Sequence, residues 1–261
     1  MVVFFDIDGT IIDSPTDAIP QSAIRAVEKL KENGHIAVVN TGRAYHQVDA
    51  RVKKMAFRGF VCGCGMEILL DGQWLVRAKP DADQCRRVVE CSRKFRMQSF
   101  YETADGGMLL DGAHSGHAGM LREVERLRGL GFPIHEMETF GEPDFVKFVS
   151  FPKEDSDVEG FHEALRNEFD IISREHGMDE IVLKGFSKAG GMQAVLDHLG
   201  IDRQDTLAIG DSTNDVTMLT MAAHSVCLGD GTQSVKEICE YVTAPVLEDG
   251  IEKALLHYGL I

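Results

Sequence analysis

The chain is 261 residues long, more than one average domain and less than two generous ones, so one large core or a core with an insertion is expected. Its 42 acidic residues against 27 basic give a net charge of -15, a field that repels nucleic-acid phosphates and anionic membrane and leaves small phosphorylated metabolites as partners where a bound metal reverses the sign locally. A hydrophobic content of 44% is that of a soluble globular protein, no apolar run reaches transmembrane length, and no signal-like segment precedes Asp6, so a cytoplasmic monomer whose first residues belong to the fold is the expectation.

Val2, Val3, Phe4 and Phe5 form an apolar run that predicts a strand buried on both faces, as at the centre of a parallel sheet. It ends in Asp6, Ile7, Asp8, Gly9 and Thr10. Burying those carboxylates is costly unless a cation or hydrogen-bond donors meet them. A calcium loop wants Gly at its sixth position and Glu at its twelfth, and Ile11 and Asp17 stand there instead. Two readings stay open for this segment alone: Asp6 and Asp8 cap the next element, or they are a carboxylate nucleophile and its neighbour in a magnesium-assisted site.

PQSAIRAVEKLKENG follows with near-helical spacing of Ile24, Val27 and Leu30, Pro20 in its first turn and Gly34 to close it. HIAVVN predicts a second buried strand ending at Asn40 and Thr41, which makes a right-handed strand–helix–strand unit with two strand ends at one edge. RAYHQVDARVKKMAF predicts a helix, GFVCGCG a third strand, and MEILLDGQWLVRA a hairpin turned at Asp71-Gly72. The rhythm then changes. Residues 80–185 predict an inserted α+β domain with helices near 81–97, 117–130 and 156–168, and strands in GGMLL, DFVKFVSF, FDIIS and DEIVLKG forming a sheet covered on one face. From Lys188 the α/β pattern resumes with helix GGMQAVLDHLG, strand TLAIGD, helix NDVTMLTMAA, strand SVCLGD and helix QSVKEICEYV. The predicted architecture is a Rossmann-like parallel-sheet core in two parts, 1–79 and 186–261, carrying the insertion. Six scattered cysteines read as buried thiols of a reducing compartment, since the C-x-C of Cys62 and Cys64 lacks a partner pair for zinc.

Ligands of open α/β sheets bind beyond the carboxyl ends of the strands. The polar residues expected there are Asp6 and Asp8, then Thr41, Gly42 and Arg43, then Lys188, and finally Asp211, Asn214 and Asp215. Singly, Thr41-Gly42 reads as a turn, Lys188 as a solvated helix start, and Asp211 to Asn214 as helix-cap chemistry. Together they supply carboxylates for a hard divalent cation and a hydroxyl and an ammonium for a phosphate.

These motifs resemble those of the haloacid dehalogenase superfamily of phosphohydrolases. Asp6 to Thr10 match its D-x-D-G-T, Thr41 its second motif, Lys188 its third, and Gly210 to Asp215 its G-D-x-x-N-D. The position of the insertion and the late EDGIEKAL resemble the Cof-like, type IIB cap branch, which usually has Asn where this chain has Cys64, and Gly-Asn-Ala where it has Gly229-Asp230-Gly231. The resemblance implies a phosphatase using Mg2+ on a small phosphorylated metabolite such as a sugar phosphate. Asp6 would be the nucleophile and Asp8 the general acid and base, its pKa raised by crowding from the other aspartates. Thr41, Gly42, Arg43, Lys188 and Asn214 would bind substrate, with Thr41 and Lys188 also serving catalysis. The metal would be held by Asp6, the backbone carbonyl of Asp8, Asp211 and Asp215. A phosphosugar mutase of the same fold and a non-catalytic phosphometabolite-binding regulator are the alternatives. In the insertion, His114, His117, Asp144 and Lys147 are polar candidates without an assigned role.

Overall fold

The computed structural model describes residues 1–112, 116–173 and 177–261. In chain order the elements are β1 (Val2–Phe5), α1 (Gln21–Glu32), β2 (Ile36–Asn40), α2 (Ala50–Lys53), β3 (Gly59–Cys62), β4 (Glu67–Leu70), β5 (Gln73–Arg77), α3 (Ala82–Lys94), β6 (Gln98–Glu102), β7 (Met108–Leu110) and α4 (Ala118–Gly129). They continue with β8 (Ile134–Glu136), α5 (Met137–Phe140), β9 (Lys147–Phe151), α6 (Val158–Leu165), β10 (Phe169–Ser173), β11 (Asp179–Leu183), α7 (Lys188–Leu199), β12 (Thr206–Gly210), α8 (Val216–Met221), β13 (His224–Cys227), α9 (Gln233–Lys236), β14 (Tyr241–Val242) and α10 (Gly250–His257).

The chain divides into two compact units: Met1–Arg43 with Val48–Arg77 and Ser187–Ile261, and Ala78–Phe186 with the short stretch Ala44–Gln47. The first unit is α/β. Its sheet runs in the order β14-β13-β12-β1-β2-β3-β4-β5, parallel from β14 to β3 and finished by two antiparallel strands. All four residues of β1 are fully buried, each apolar side chain contributing roughly 1.5–3 kcal/mol by leaving water. The register sets Phe5 beside Ile209 of β12 and Val39 of β2. The residues that follow these three strands therefore emerge together at one edge of the sheet, with Asp6 N–H still bonded to the Ile209 carbonyl at 3.0 Å. The hairpin between β4 and β5 turns at Asp71 and Gly72, both at positive φ, as its two-residue turn requires.

The second unit is built on a sheet ordered β10-β11-β9-β6-β7-β8, antiparallel except for the β7–β8 pair. Helices lie on both of its faces, not one. Strand alternation sends Tyr101, Phe148 and Ile181 to the side packed by Val88 and Val89 of α3 and Phe161 and Leu165 of α6. Phe100, Val149 and Phe151 point the opposite way, onto Met120, Val124 and Leu127 of α4.

Three local departures have simple causes. The single helix predicted over residues 43–57 breaks into a 3-10 turn at Tyr45–Gln47 and the short α2, because Asp49 adopts extended backbone and caps the Arg51 N–H. QSVKEICEYV keeps only α9, since Tyr241 and Val242 leave the helix to pair with Val226 and Cys227 as β14. QSFYE and IHE, in which no strand was predicted, are β6 and β8.

Candidate active site

All the residues expected at the strand ends lie in the first unit, and the structure brings most of them together. Asp6 follows β1 and is 3% exposed. Lys188 is the first residue of α7, whose N-terminus is capped by the Ser187 hydroxyl accepting the Gly190 N–H at 2.9 Å. Its ammonium donates to Asp6 Oδ1 and to Asp215 Oδ1, both at 2.6 Å, with every partner almost fully buried. An ammonium in that position would be strongly disfavoured without two carboxylates to meet it. Burial pulls the Lys188 pKa down, but Asp215 and Asp6 outweigh it and hold the ammonium well above the ordinary lysine range.

The placement of Lys188 depends on close backbone packing. Gly63, Cys64 and Gly65 are three successive residues at positive φ, and a side chain at Gly65 would meet the Ser187 carbonyl at 2.7 Å. Cys64 occupies the left-handed conformation that asparagine tolerates best among non-glycine residues. Asn40 completes the anchoring, its side-chain amide donating to the Lys188 carbonyl at 3.0 Å.

Beyond β12, Asp211 and Asp215 are tied to each other through the backbone. Asp215 Oδ2 accepts the N–H groups of Asp211 and Ser212 at 2.9 and 3.1 Å. Thr10, for which the motif reading gave no separate role, donates its hydroxyl to Asp211 Oδ1 at 3.0 Å. Gly9, at φ +79, sits so close that an added Cβ would fall 2.4 Å from Asp211 Oδ2, so the glycine of D-x-D-G-T is required both by its backbone and by this carboxylate. Asn214 is buried and its Oδ1 accepts the Ser212 hydroxyl at 3.0 Å.

One oxygen each of Asp6, Asp211 and Asp215 lies within 4.8 Å of the others. Burial, then Asp215, push the Asp6 pKa up to about 7 against the pull of Lys188. Burial, then Asp6 and Asp215, push Asp211 up to about 8, with Thr10 pulling the other way. Two buried carboxylates and a half-buried one, this close together, fit a divalent cation, which would offset the repulsion.

The Asp8 carboxylate does not join this cluster. Arg43 grips it as a fork, Nε donating to Oδ2 at 2.7 Å and the Nη2 group to Oδ1. The Asp8 charge nonetheless adds to the crowding that raises Asp6. Thr41 is buried, and its hydroxyl accepts the Arg43 N–H at 3.2 Å; Gly42 beside it is buried as well.

Of the polar candidates in the second unit, His114 lies outside the described residues. His117 caps α4 by accepting the Gly119 N–H at 3.1 Å. Asp144 is exposed and paired with Lys79 at 2.7 Å. Lys147 is buried between Glu180 at 2.5 Å and Glu102 at 3.5 Å.

A parallel α/β sheet with carboxylates and an ammonium gathered beyond its strand ends is the place where open α/β folds bind their ligands. The family model for haloacid dehalogenase-like hydrolases matches residues 3–255, and the chain belongs to that family. A phosphatase of Bacillus subtilis (strain 168), 5-amino-6-(5-phospho-D-ribitylamino)uracil phosphatase YitU, is 25% identical over 269 residues, covering 98% of this chain and 97% of its own. Among solved structures, the subclass IIB sugar phosphatase BT4131 superposes with a TM-score of 0.81 at 24% identity, over 100% of this chain and 99% of that one. BT1666 from Bacteroides thetaiotaomicron, described as a phosphatase of the same superfamily, gives a TM-score of 0.83 at 23% identity, over 100% and 95%. The fold is that of the subclass IIB members, with a cap domain, and the enzyme is a phosphatase. No helix among the described residues is long and apolar enough to cross a membrane.

Proposed function

We propose that this enzyme is a magnesium-dependent phosphatase of small phosphorylated metabolites, sugar phosphates or similar monoesters, working through an aspartyl phosphate on Asp6. The observation that carries the proposal is the Lys188 ammonium held at 2.6 Å from both Asp6 and Asp215, inside the Asp6–Asp211–Asp215 cluster. YitU, named for a phosphorylated ribitylamino-uracil, and BT4131, described as a sugar phosphatase, support the substrate class.

Asp6, Asp211 and Asp215, with the backbone carbonyl of Asp8, would hold Mg2+. Bound there, the ion would supply Lewis-acid polarisation of the phosphoryl oxygens and neutralise charge between phosphate and nucleophile. Asp6 attacks phosphorus and expels the alcohol, giving a covalent phosphoryl carboxylate. Lys188 orients Asp6 and offsets charge on the transferring group. The Thr41 hydroxyl, the amide of Gly42, Arg43 and Asn214 hold phosphate or substrate oxygens. Asp8 gives a proton to the leaving oxygen and then takes one from the water that cleaves the intermediate. Thr10 fixes the orientation of Asp211.

The test is turnover of a generic aryl phosphate with Mg2+. Asp6→Asn should abolish it, and undiminished turnover by that variant would remove Asp6 from the reaction.

A further inference from the structure

Asn40 is fully buried at the end of β2, one residue past the Phe5–Val39 pair, so it stands level with Asp6 on the neighbouring strand. Its side-chain amide donates to the Lys188 carbonyl at 3.0 Å, a buried bond spanning 148 positions. In a helix that begins at Lys188, this carbonyl also accepts the N–H four residues on, that of Met192. The Asn40 bond is therefore an addition to the helix ladder, running sideways from the strand end to the helix backbone. Resting on the phosphatase reading above, we propose that Asn40 is a positioning residue of the reaction: by holding the Lys188 carbonyl, it aims the third N–H of the ammonium at the transferring phosphoryl group.

Three features carry this. An ammonium has three N–H donors, and Asp6 Oδ1 and Asp215 Oδ1 take two of them at 2.6 Å. With the nitrogen held by two carboxylates, the tetrahedral arrangement around it makes the third N–H point away from wherever the side-chain carbon enters. Placement of the Lys188 backbone thus becomes the aim of that donor. The helix start is also packed without slack: a Cβ added at Gly65 would lie 2.7 Å from the Ser187 carbonyl, and one at Gly191 would lie 2.3 Å from Val61 Cγ1. Such steric contacts limit how near α7 comes to the sheet, whereas a directional hydrogen bond fixes where along the strand ends its first residue sits. Finally, the amide adds little to stability. No donor among the described residues meets Asn40 Oδ1, and a buried acceptor left unmet costs about as much as one hydrogen bond returns. The effect of the bond therefore falls on the position of Lys188 more than on the stability of the fold.

Asn40→Leu tests it, because leucine fills the volume, has no donor, and removes the unmet acceptor as well. With saturating Mg2+ and an aryl phosphate, kcat should fall roughly ten- to hundredfold, the usual effect of losing a partner that orients a reacting group. KM should change by less than about twofold, and the melting temperature should drop by no more than about 3 °C. In a Lys188→Met background, read at enzyme concentrations high enough to follow residual turnover, the same substitution should cost nothing further, since the group it aims is gone. Parental kcat in Asn40→Leu overturns the proposal. A melting temperature lowered by more than that alongside the lost turnover makes Asn40 a structural residue and overturns it as well, as does an equal loss with and without Lys188. Lys188→Gln takes the place of Lys188→Met if that variant does not fold, and the single variant is decisive by itself. Failure of the phosphatase reading appears elsewhere, as undiminished turnover by Asp6→Asn, a variant this test does not use.

Discussion

Lys188→Met asks how much of this unit's stability is invested in its site. Methionine fills similar volume without charge, so the substitution removes two 2.6 Å charge-assisted bonds and leaves Asp6 and Asp215 buried with their counter-ion gone. Deleting one partner of a buried pair costs about 3–5 kcal/mol, and two charge-assisted bonds at roughly 1.5–3 kcal/mol each give the same order. The loss should also depend on pH. Asp6 at about 7 and Asp211 at about 8 are already raised by burial and mutual repulsion, and Lys188 pulls both down, so its removal raises them further. The folded variant then holds more protons than the unfolded chain over a wider range, and its stability falls more steeply as pH rises. Urea unfolding at pH 6 and pH 8.5 with chelator present reads this directly, the difference from the parent protein being larger at the higher pH. A difference below about 1 kcal/mol at both pH values, the worth of an exposed pair, would refute the reasoning.

The parent protein should itself show the linkage. Folded pKa values of about 7 and 8 against 3.8 for an ordinary aspartate mean that the contribution of these groups is fully present below pH 4 and is lost as pH rises through 7 and 8. The slope reaches roughly 1.4 kcal/mol per pH unit for each group; saturating Mg2+ should flatten it, and a metal-independent slope would contradict the assigned cation site. Gly9→Ala forces a Cβ to 2.4 Å from Asp211 Oδ2 at a positive φ, which costs about 1–2 kcal/mol in backbone alone and displaces the carboxylate. Its melting temperature and turnover should both drop, and wild-type turnover would argue against the position assigned to Asp211. Thr10→Val deletes the 3.0 Å bond to Asp211, for an expected loss of about 1 kcal/mol in unfolding free energy together with weaker Mg2+ binding. Unchanged metal affinity would make Thr10 structural only.

The site was legible in the sequence where a buried strand ran straight into a carboxylate. VVFF before Asp6 and TLAIG before Asp211 could only be central strands, and parallel neighbours put their ends side by side. Lys188 was legible as a helix start, and Ser187 does cap α7 there. What could not be read was which side chain each group would meet. The Arg43–Asp8 fork spans 35 positions and depends on rotamers, so no local pattern announced that these two side chains would pair. Thr10 stood in the motif without a stated task because its partner, Asp211, is 201 positions away. In the second unit, a helix near 117–130 was predicted, but not that its Met120, Val124 and Leu127 cover the face of the sheet opposite α3 and α6. β14 is only two residues long and exists by pairing with β13, which no local pattern in EYVT announces.

The most direct measurement is rapid acid quench of the enzyme during turnover, followed by digestion and mass spectrometry of the peptide that contains Asp6. The phosphoryl group should be found on Asp6 and should vanish on treatment with hydroxylamine, as an acyl phosphate does. A phosphoryl group on another side chain, or none on any peptide while product accumulates in a burst, would contradict the account.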